Sequence, residues 1–509
     1  MSGFLTDDEI AALNPSELLP YPTPIPTQIV SSDEFTPAPQ SEKQKEVEAR
    51  LLAMADDLGG KQGQSRRQFF QSAAGMAAAF VALNETFASV FDASRAEAST
   101  PALADERAKG LRDQFIMDMH THFLRDDTRL VNFIRAREAV GKAGWNPALV
   151  DKPQTLEDLK FNNFFKEIYL DSDTKVALIS SSPSEEPQDW FLTNEQMIEA
   201  RDKVNREAGS RRMFAHAIFT PGQPGWLEQL EGALEKKPES IKGYTVGDNT
   251  NKDLARHPWR MDDEKTAYRG YELALKYGIK NICVHKGLFP ESTAKRFPHL
   301  LEYAKVGDVG QAAKDWPQLN FIIYHGGYRW AAGGRAGDGW NEFEQTGRVS
   351  WVSDLADIPE KYGVTNVYAD VGQLFAQSVV AEPRLAAAMM GIMGRGMGYD
   401  RVVWGTDAVW TGSPQWQIEA LRRLEISEDM QKKYSFKPLG AADGPIKNMI
   451  FAGTNAKLYD FDIPTKRGDI GPNRDRFARM KEEYEATGAA RSNLRYGYVT
   501  GPVDWSAFA

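Results

Sequence analysis

The sequence predicts an α/β fold, eight parallel strands closed into a barrel and wrapped by helices, on three observations. From about residue 112, short β-branched or apolar runs alternate with helical patterns, the mark of repeated βα units. Eight such runs occur, the number that a (β/α)8 barrel needs. No Gly-rich dinucleotide fingerprint follows the first run, which argues against a doubly wound open sheet.

In order, the predicted strands are Gln114 to His120, Lys175 to Ser180, Arg212 to Phe219, Ser240 to Val246, Asn281 to His285, Asn320 to His325, Asn366 to Asp370 and Arg401 to Gly405. Between them Asn194 to Ala208, Asp263 to Tyr277 and Pro383 to Met397 repeat apolar residues every three or four positions, as helices do. The barrel is expected over residues 112–465, and the polar, strand-poor residues 466–509 read as a C-terminal extension on its outside. The stretch from Leu124 to Asp173 is long for one βα connection and carries Arg125, Arg129, Arg135, Arg137 and Trp145. It is the candidate lid.

Composition bounds the chemistry. Of 509 residues, 42% are apolar and 26% charged, as in ordinary globular chains. A formal net charge of -10 with no clustered Lys/Arg run disfavours a nucleic-acid partner. Cys283 is the single cysteine, so no intramolecular disulfide forms. Amid β-formers it reads as a small buried hydrophobe.

Residues 1–64 are Pro-rich and then charged, with little apolar periodicity, and read as a disordered arm. Over residues 65–98, Ser65-Arg66-Arg67-Gln68-Phe69-Phe70 precedes the small-residue apolar run Ser72 to Leu83, and Ala96-Glu97-Ala98 offers a small-x-small cut before Ser99. The arrangement resembles a twin-arginine export signal, with Phe70 in place of the usual Leu and about 64 residues ahead of the arginines. The resemblance implies the twin-arginine machinery as a partner and a periplasmic or exported enzyme. Read as an ordinary Ala-rich helix, the segment leaves the protein cytoplasmic.

Four of the seven histidines fall at predicted strand ends. His120 and His122 end the first strand two residues apart, so both face one side. His285 ends the fifth strand, His325 the sixth, and Asp407 follows the eighth. In a barrel these ends meet at one mouth, where catalysis takes place. Imidazole nitrogen and carboxylate oxygen suit one divalent ion, zinc first, with manganese or iron as alternatives, in an open catalytic site.

The order and strand positions of these residues resemble the amidohydrolase superfamily over roughly residues 113–460. They are most similar to its amidohydrolase-related branch, which includes aminocarboxymuconate semialdehyde decarboxylase. Gly398 to Asp407 is similar to that branch's eighth-strand motif, and Tyr324-His325-Gly326-Gly327 to its sixth. The resemblance implies His120, His122, His285 and Asp407 as metal ligands, with Asp407 and His325 as catalytic groups. Some members carboxylate a fourth-strand lysine to bind a second metal. Lys242 lies near that place, although pairing with a carboxylate or meeting substrate is the preferred reading.

Arg329 and Trp330 after His325, and Trp410 after Asp407, are candidate substrate contacts together with Lys242: Arg for a carboxylate, Trp for a ring. His216 reads as a satisfied core histidine, His257 and His299 as loop residues. The leading reading is a metal-dependent hydrolase acting on a small, cyclic or carboxylated substrate through a metal-activated water. The alternatives are a non-oxidative decarboxylase of an aromatic or unsaturated acid, and a non-catalytic metal or ligand-binding barrel. A homo-oligomer is compatible with all three.

Overall fold

A computed structural model describes residues 23–29, 40–142, 155–248, 250–329 and 336–486. All eight predicted strands form: β1 (Met117–Thr121), β2 (Val176–Ile179), β3 (Met213–Phe219), β4 (Ser240–Tyr244), β5 (Asn281–His285), β6 (Asn320–Tyr324), β7 (Val367–Asp370) and β8 (Val402–Val403). They lie in sequence order in one sheet, each parallel to the next. Contacts between the β8 end and β1 close the barrel: Met119 N–H donates to Trp404 O (3.2 Å), Asp407 N–H to His120 O (2.8 Å), and Thr121 bridges Ala408.

Buried on both faces, strands such as β2 and β3 read as near-continuous apolar runs, as parallel sheets covered by helices do. The helices begin and end where local chemistry dictates. Asn194–Ala208, for example, opens on a Thr193/Gln196 capping box and stops at Gly209, whose φ of 76° is costly for any other residue.

The N-terminal region departs from expectation. Instead of an arm without a core, Glu42–Met54 is a helix that buries Val47, Leu51 and Met54. Those residues, spaced four and three apart, form a narrow stripe among charges that is easily missed. Ala73–Thr86 is also a helix, and Ala77, Ala78, Ala79, Phe80 and Leu83 lie at the centre of the main core cluster. Its uniform apolarity suits a helix buried on every side as well as it suits an export segment. Glu97, inside the predicted cut site, forms a buried ion pair with Arg423 of the helix Gln415–Arg423 (2.6 Å). No helix among the described residues is long and apolar enough to cross a membrane.

At the other end, Phe477 and Tyr484 of the helix Arg476–Ala486 pack beside Phe165 and Tyr169, and Asp475 pairs with Arg212 at 3.1 Å. Over the barrel mouth, Leu124, Leu130, Phe133, Leu156 and Leu159 of the predicted lid pack with Phe191, Val409 and Trp410. Arg125 and Arg129 bind the loop at Pro187 and Asp189. Trp145 and the Arg137 side chain lie outside what the structure describes.

Candidate metal centre

Three of the predicted ligands meet directly. The Nε2 atoms of His120 and His122 each lie 3.1 Å from Asp407 Oδ1, and all three residues are buried. The β1–β2 register shifts between Asp118 and Thr121, an irregularity of the kind that re-aims side chains beside active sites. Asp407 and His325 both hold positive φ, 61° and 60°, a conformation that non-glycine residues adopt only where the surroundings impose it. His325 joins the group from the sixth strand end: His120, His325 and Asp407 offer ligand atoms within 4.8 Å of one another. His285 touches His325, with Nδ1 3.2 Å from the Nε2 of that ring.

The donor set fits a cation. His120 Nδ1 faces the Asp370 carboxylate at 3.0 Å and His122 Nδ1 faces the Ser180 carbonyl at 2.8 Å, so each Nδ1 carries a proton and each Nε2 is turned toward the Asp407 carboxylate. Those Nε2 atoms and that carboxylate call for a positive charge between them, a proton or a metal cation. In addition, His285 Nε2 is buried and finds no hydrogen-bond partner among the described residues. Two nitrogens and a carboxylate oxygen, with a third imidazole adjacent, match the ligand chemistry of zinc, manganese or iron.

Two carboxylates that the sequence reading passed over hold this arrangement. Asp370, at the end of β7, accepts from the His325 backbone N–H (3.2 Å) through the same oxygen that meets His120. Asp118 accepts from the Thr406 N–H (3.0 Å) and hydroxyl (2.5 Å), tying β1 to the residue before Asp407. Gly405 makes the closeness possible, since a Cβ there would stand 2.0 Å from Asp370 Oδ2 and 2.6 Å from His120 Cβ. The sequence hinted at Asp370 only by its place at a strand end.

Burial sets most of the electrostatics. It holds the His285 and His325 imidazoliums well below their usual range, and it lowers His122 against the pull of Asp407. At His120, burial is outweighed by Asp370 and Asp407, and the net shift is upward. Burial alone would raise Asp407, but the charge on His120 and the hydrogen bonds from both β1 histidines hold it well below the normal carboxylate range. For Asp118 burial wins and lifts the carboxyl to about 7.

The other predicted contacts are placed less uniformly. Lys242 is buried, with its ammonium 3.6 Å from the centre of the Tyr324 ring, whose plane also packs on His120 (centroids 3.8 Å apart). Trp410 is a wall beside His122 (5.4 Å), continued by Phe191 and Phe133. Arg329 is half-buried over the Trp351 ring at 5.8 Å. Trp330 lies outside the described residues.

His216 is a core histidine. Its Nε2 bonds the Tyr324 hydroxyl (2.8 Å), which donates onward to Met119 O, and its Nδ1 meets Ser240 Oγ at 2.7 Å. His257 pairs with Glu185 on loops, and His299 is exposed. Cys283 is buried, its thiol pushed up to about 11 by burial.

Residues 243–461 match the sequence model of a family described as amidohydrolase. No curated protein matches. Solved structures align loosely. They include an amidohydrolase from Burkholderia multivorans (TM-score 0.40, 13% identity, 68% of this chain and 100% of that one). A 5-carboxyvanillate decarboxylase from Sphingomonas paucimobilis aligns with a TM-score of 0.37 at 13% identity over 69% and 100%. A 2,6-dihydroxybenzoate decarboxylase from Rhizobium gives 0.37 and 13% over 68% and 99%. Superpositions this loose transfer no residue roles. From β4 onward the chain is thus similar in sequence to the amidohydrolase family, and it is built as a parallel eight-stranded barrel whose ligand-type side chains gather at the strand ends.

Proposed function

We propose that the protein is a metal-dependent decarboxylase, a carbon–carbon lyase, of a small aromatic or unsaturated carboxylic acid. The carrying observation is that the cation-demanding cluster of His120, His122 and Asp407 stands directly against an aromatic wall of Trp410, Phe191 and Phe133. Such a wall suits a flat ring packed beside the reacting group. His120, His122, His285 and Asp407 are the residues to hold one divalent ion, zinc or manganese.

When bound, that ion polarises a substrate oxygen as a Lewis acid. The protein's own groups do the rest. The aromatic side chains orient the ring and exclude water. Arg329, half-buried four residues beyond His325, supplies a fork for a carboxylate. Asp407 carries a proton, taken from a hydroxyl of substrate or solvent, to the ring carbon. As the bond to the carboxylate breaks, its electron pair takes that proton, and carbon dioxide leaves.

Hydrolysis is the second reading. It is favoured by the position of Asp407, whose carboxylate stands between His120 and His122 and so beside any water held there.

Protein loaded with zinc or manganese and offered hydroxybenzoates, unsaturated acids, lactones and esters separates the two. Carbon dioxide release, with solvent deuterium appearing at the vacated carbon, is expected. Uptake of labelled oxygen from water without carbon dioxide would replace the first reading by the second, and inertness toward the whole panel would count against both.

A further inference from the structure

The imidazoles around Asp407 differ in what meets their Nδ1 atoms. His120 and His122 face pure acceptors, a carboxylate and a carbonyl, so each keeps its proton on Nδ1. His325 is the reverse: its Nδ1 receives the backbone N–H of Gln373 at 3.0 Å, fully buried. A peptide N–H never gives up its proton at neutral pH, so His325 Nδ1 has to present a lone pair, and the single proton of the neutral ring sits on Nε2.

The local backbone is built for this contact. Gly372 has a φ of 21°, and a Cβ there would lie 2.5 Å from His325 Nδ1 and 2.9 Å from Asp370 Oδ1. Gln373 is the second residue of the helix Gly372–Ala381, where an N–H has no intrahelical acceptor and is free to point at the ring.

We propose that the Gln373 backbone N–H locks His325 as its Nε2–H tautomer, making His325 a fixed hydrogen-bond donor to the barrel mouth instead of a metal ligand or a proton acceptor. Position alone would admit His325 as a third ligand with His120 and Asp407; its proton excludes it. The donor meets His285 Nδ1 at 3.2 Å; an ion taken up by His285 would displace that contact and release the Nε2–H to a substrate oxygen at the strand ends. Gln373 is thus a positioning residue acting through His325. The inference rests on reading these strand ends as the reactive centre, yet its test needs no turnover.

With histidine nitrogen labelled, long-range proton–nitrogen correlation at neutral pH reads the tautomer of each ring, and a His325→Asn spectrum assigns the His325 signals. The expected result is a lone-pair Nδ1 and a protonated Nε2 for His325, in the full chain as isolated. Gln373→Ala, which keeps the N–H, should leave that pattern intact. Gln373→Pro, which removes the donor along with the side chain that Gln373→Ala controls for, in the first helical turn where proline is tolerated, should convert it to a tautomer mixture.

A protonated Nδ1 in the parent protein would overturn the proposal, as would one-bond coupling of His325 Nε2 to cadmium-113 in cadmium-loaded protein. Should Gln373→Pro fail to fold, the parent spectrum still decides. Failure to bind any metal would strike the decarboxylase reading and leave the tautomer result standing.

Discussion

Asp370 Oδ1 serves two rings at once, meeting His120 Nδ1 at 3.0 Å and the backbone N–H of His325 at 3.2 Å. The end of β7 therefore orients one metal-ligand candidate and one donor from a single atom. Asp370→Asn is nearly isosteric, but its amide can present a donor to His120 and favour the wrong tautomer. We expect the variant to fold and to bind zinc or manganese about 10- to 100-fold more weakly, as measured by calorimetric titration. Unchanged affinity would remove Asp370 from the centre.

Lys447 offers a pH test away from the mouth. Its buried ammonium donates to Arg422 O at 2.8 Å, and burial lowers it from its ordinary value near 10.5 to about 8. Between those values the unfolded chain binds the extra proton and the folded one does not, so this group's contribution to stability rises with pH across that window. Lys447→Met should abolish that rise, which is worth up to about 3 kcal/mol at ~1.4 kcal/mol per unit. It should also stabilise the protein at neutral pH. Parallel urea unfolding of parent and variant at pH 7 and pH 9.5 measures the difference.

The Arg423–Glu97 pair tests how the N-terminal layer is used. Arg423 also contacts Glu419 (3.4 Å) and lies 5.5 Å from the Phe80 ring. Arg423→Ala leaves buried Glu97 with no ion-pair partner closer than Arg107 at 3.9 Å, while Glu419 keeps Arg422 at 2.7 Å, and should cost about 3–5 kcal/mol. Glu97→Gln should cost about 1–2 kcal/mol. A mature protein beginning at Ser99 would be indifferent to Glu97→Gln, because position 97 would be gone. Chemical unfolding and the mass of the purified chain read both outcomes.

The strands and their order were legible because most parallel β-runs are rich in apolar and β-branched residues and end in polar ones. Asn281–His285 coincides with its predicted bounds, as does the helix Asn194–Ala208. The cluster was legible because histidines are few and sit at strand ends. What supports it was not: Asp370, Asp118 and the Gln373 N–H act across the barrel through closeness that no local motif encodes, and a peptide N–H has no sequence signature at all. The helix Ala73–Thr86 was ambiguous for a different reason. Full burial and export both ask for a helix that is apolar all round, so composition could not say that Phe80 would pack on Phe91 and Arg423.

That packing has a consequence for biosynthesis. Phe80 leaves the ribosome roughly 340 residues before Arg423, a delay on the order of 20–70 s at bacterial translation speeds. Throughout that interval the Phe80 side of the helix has Phe91 but lacks the Arg423 surface that completes its cover. Overexpression should therefore drive part of the product into inclusion bodies, and a co-produced holdase should recover it.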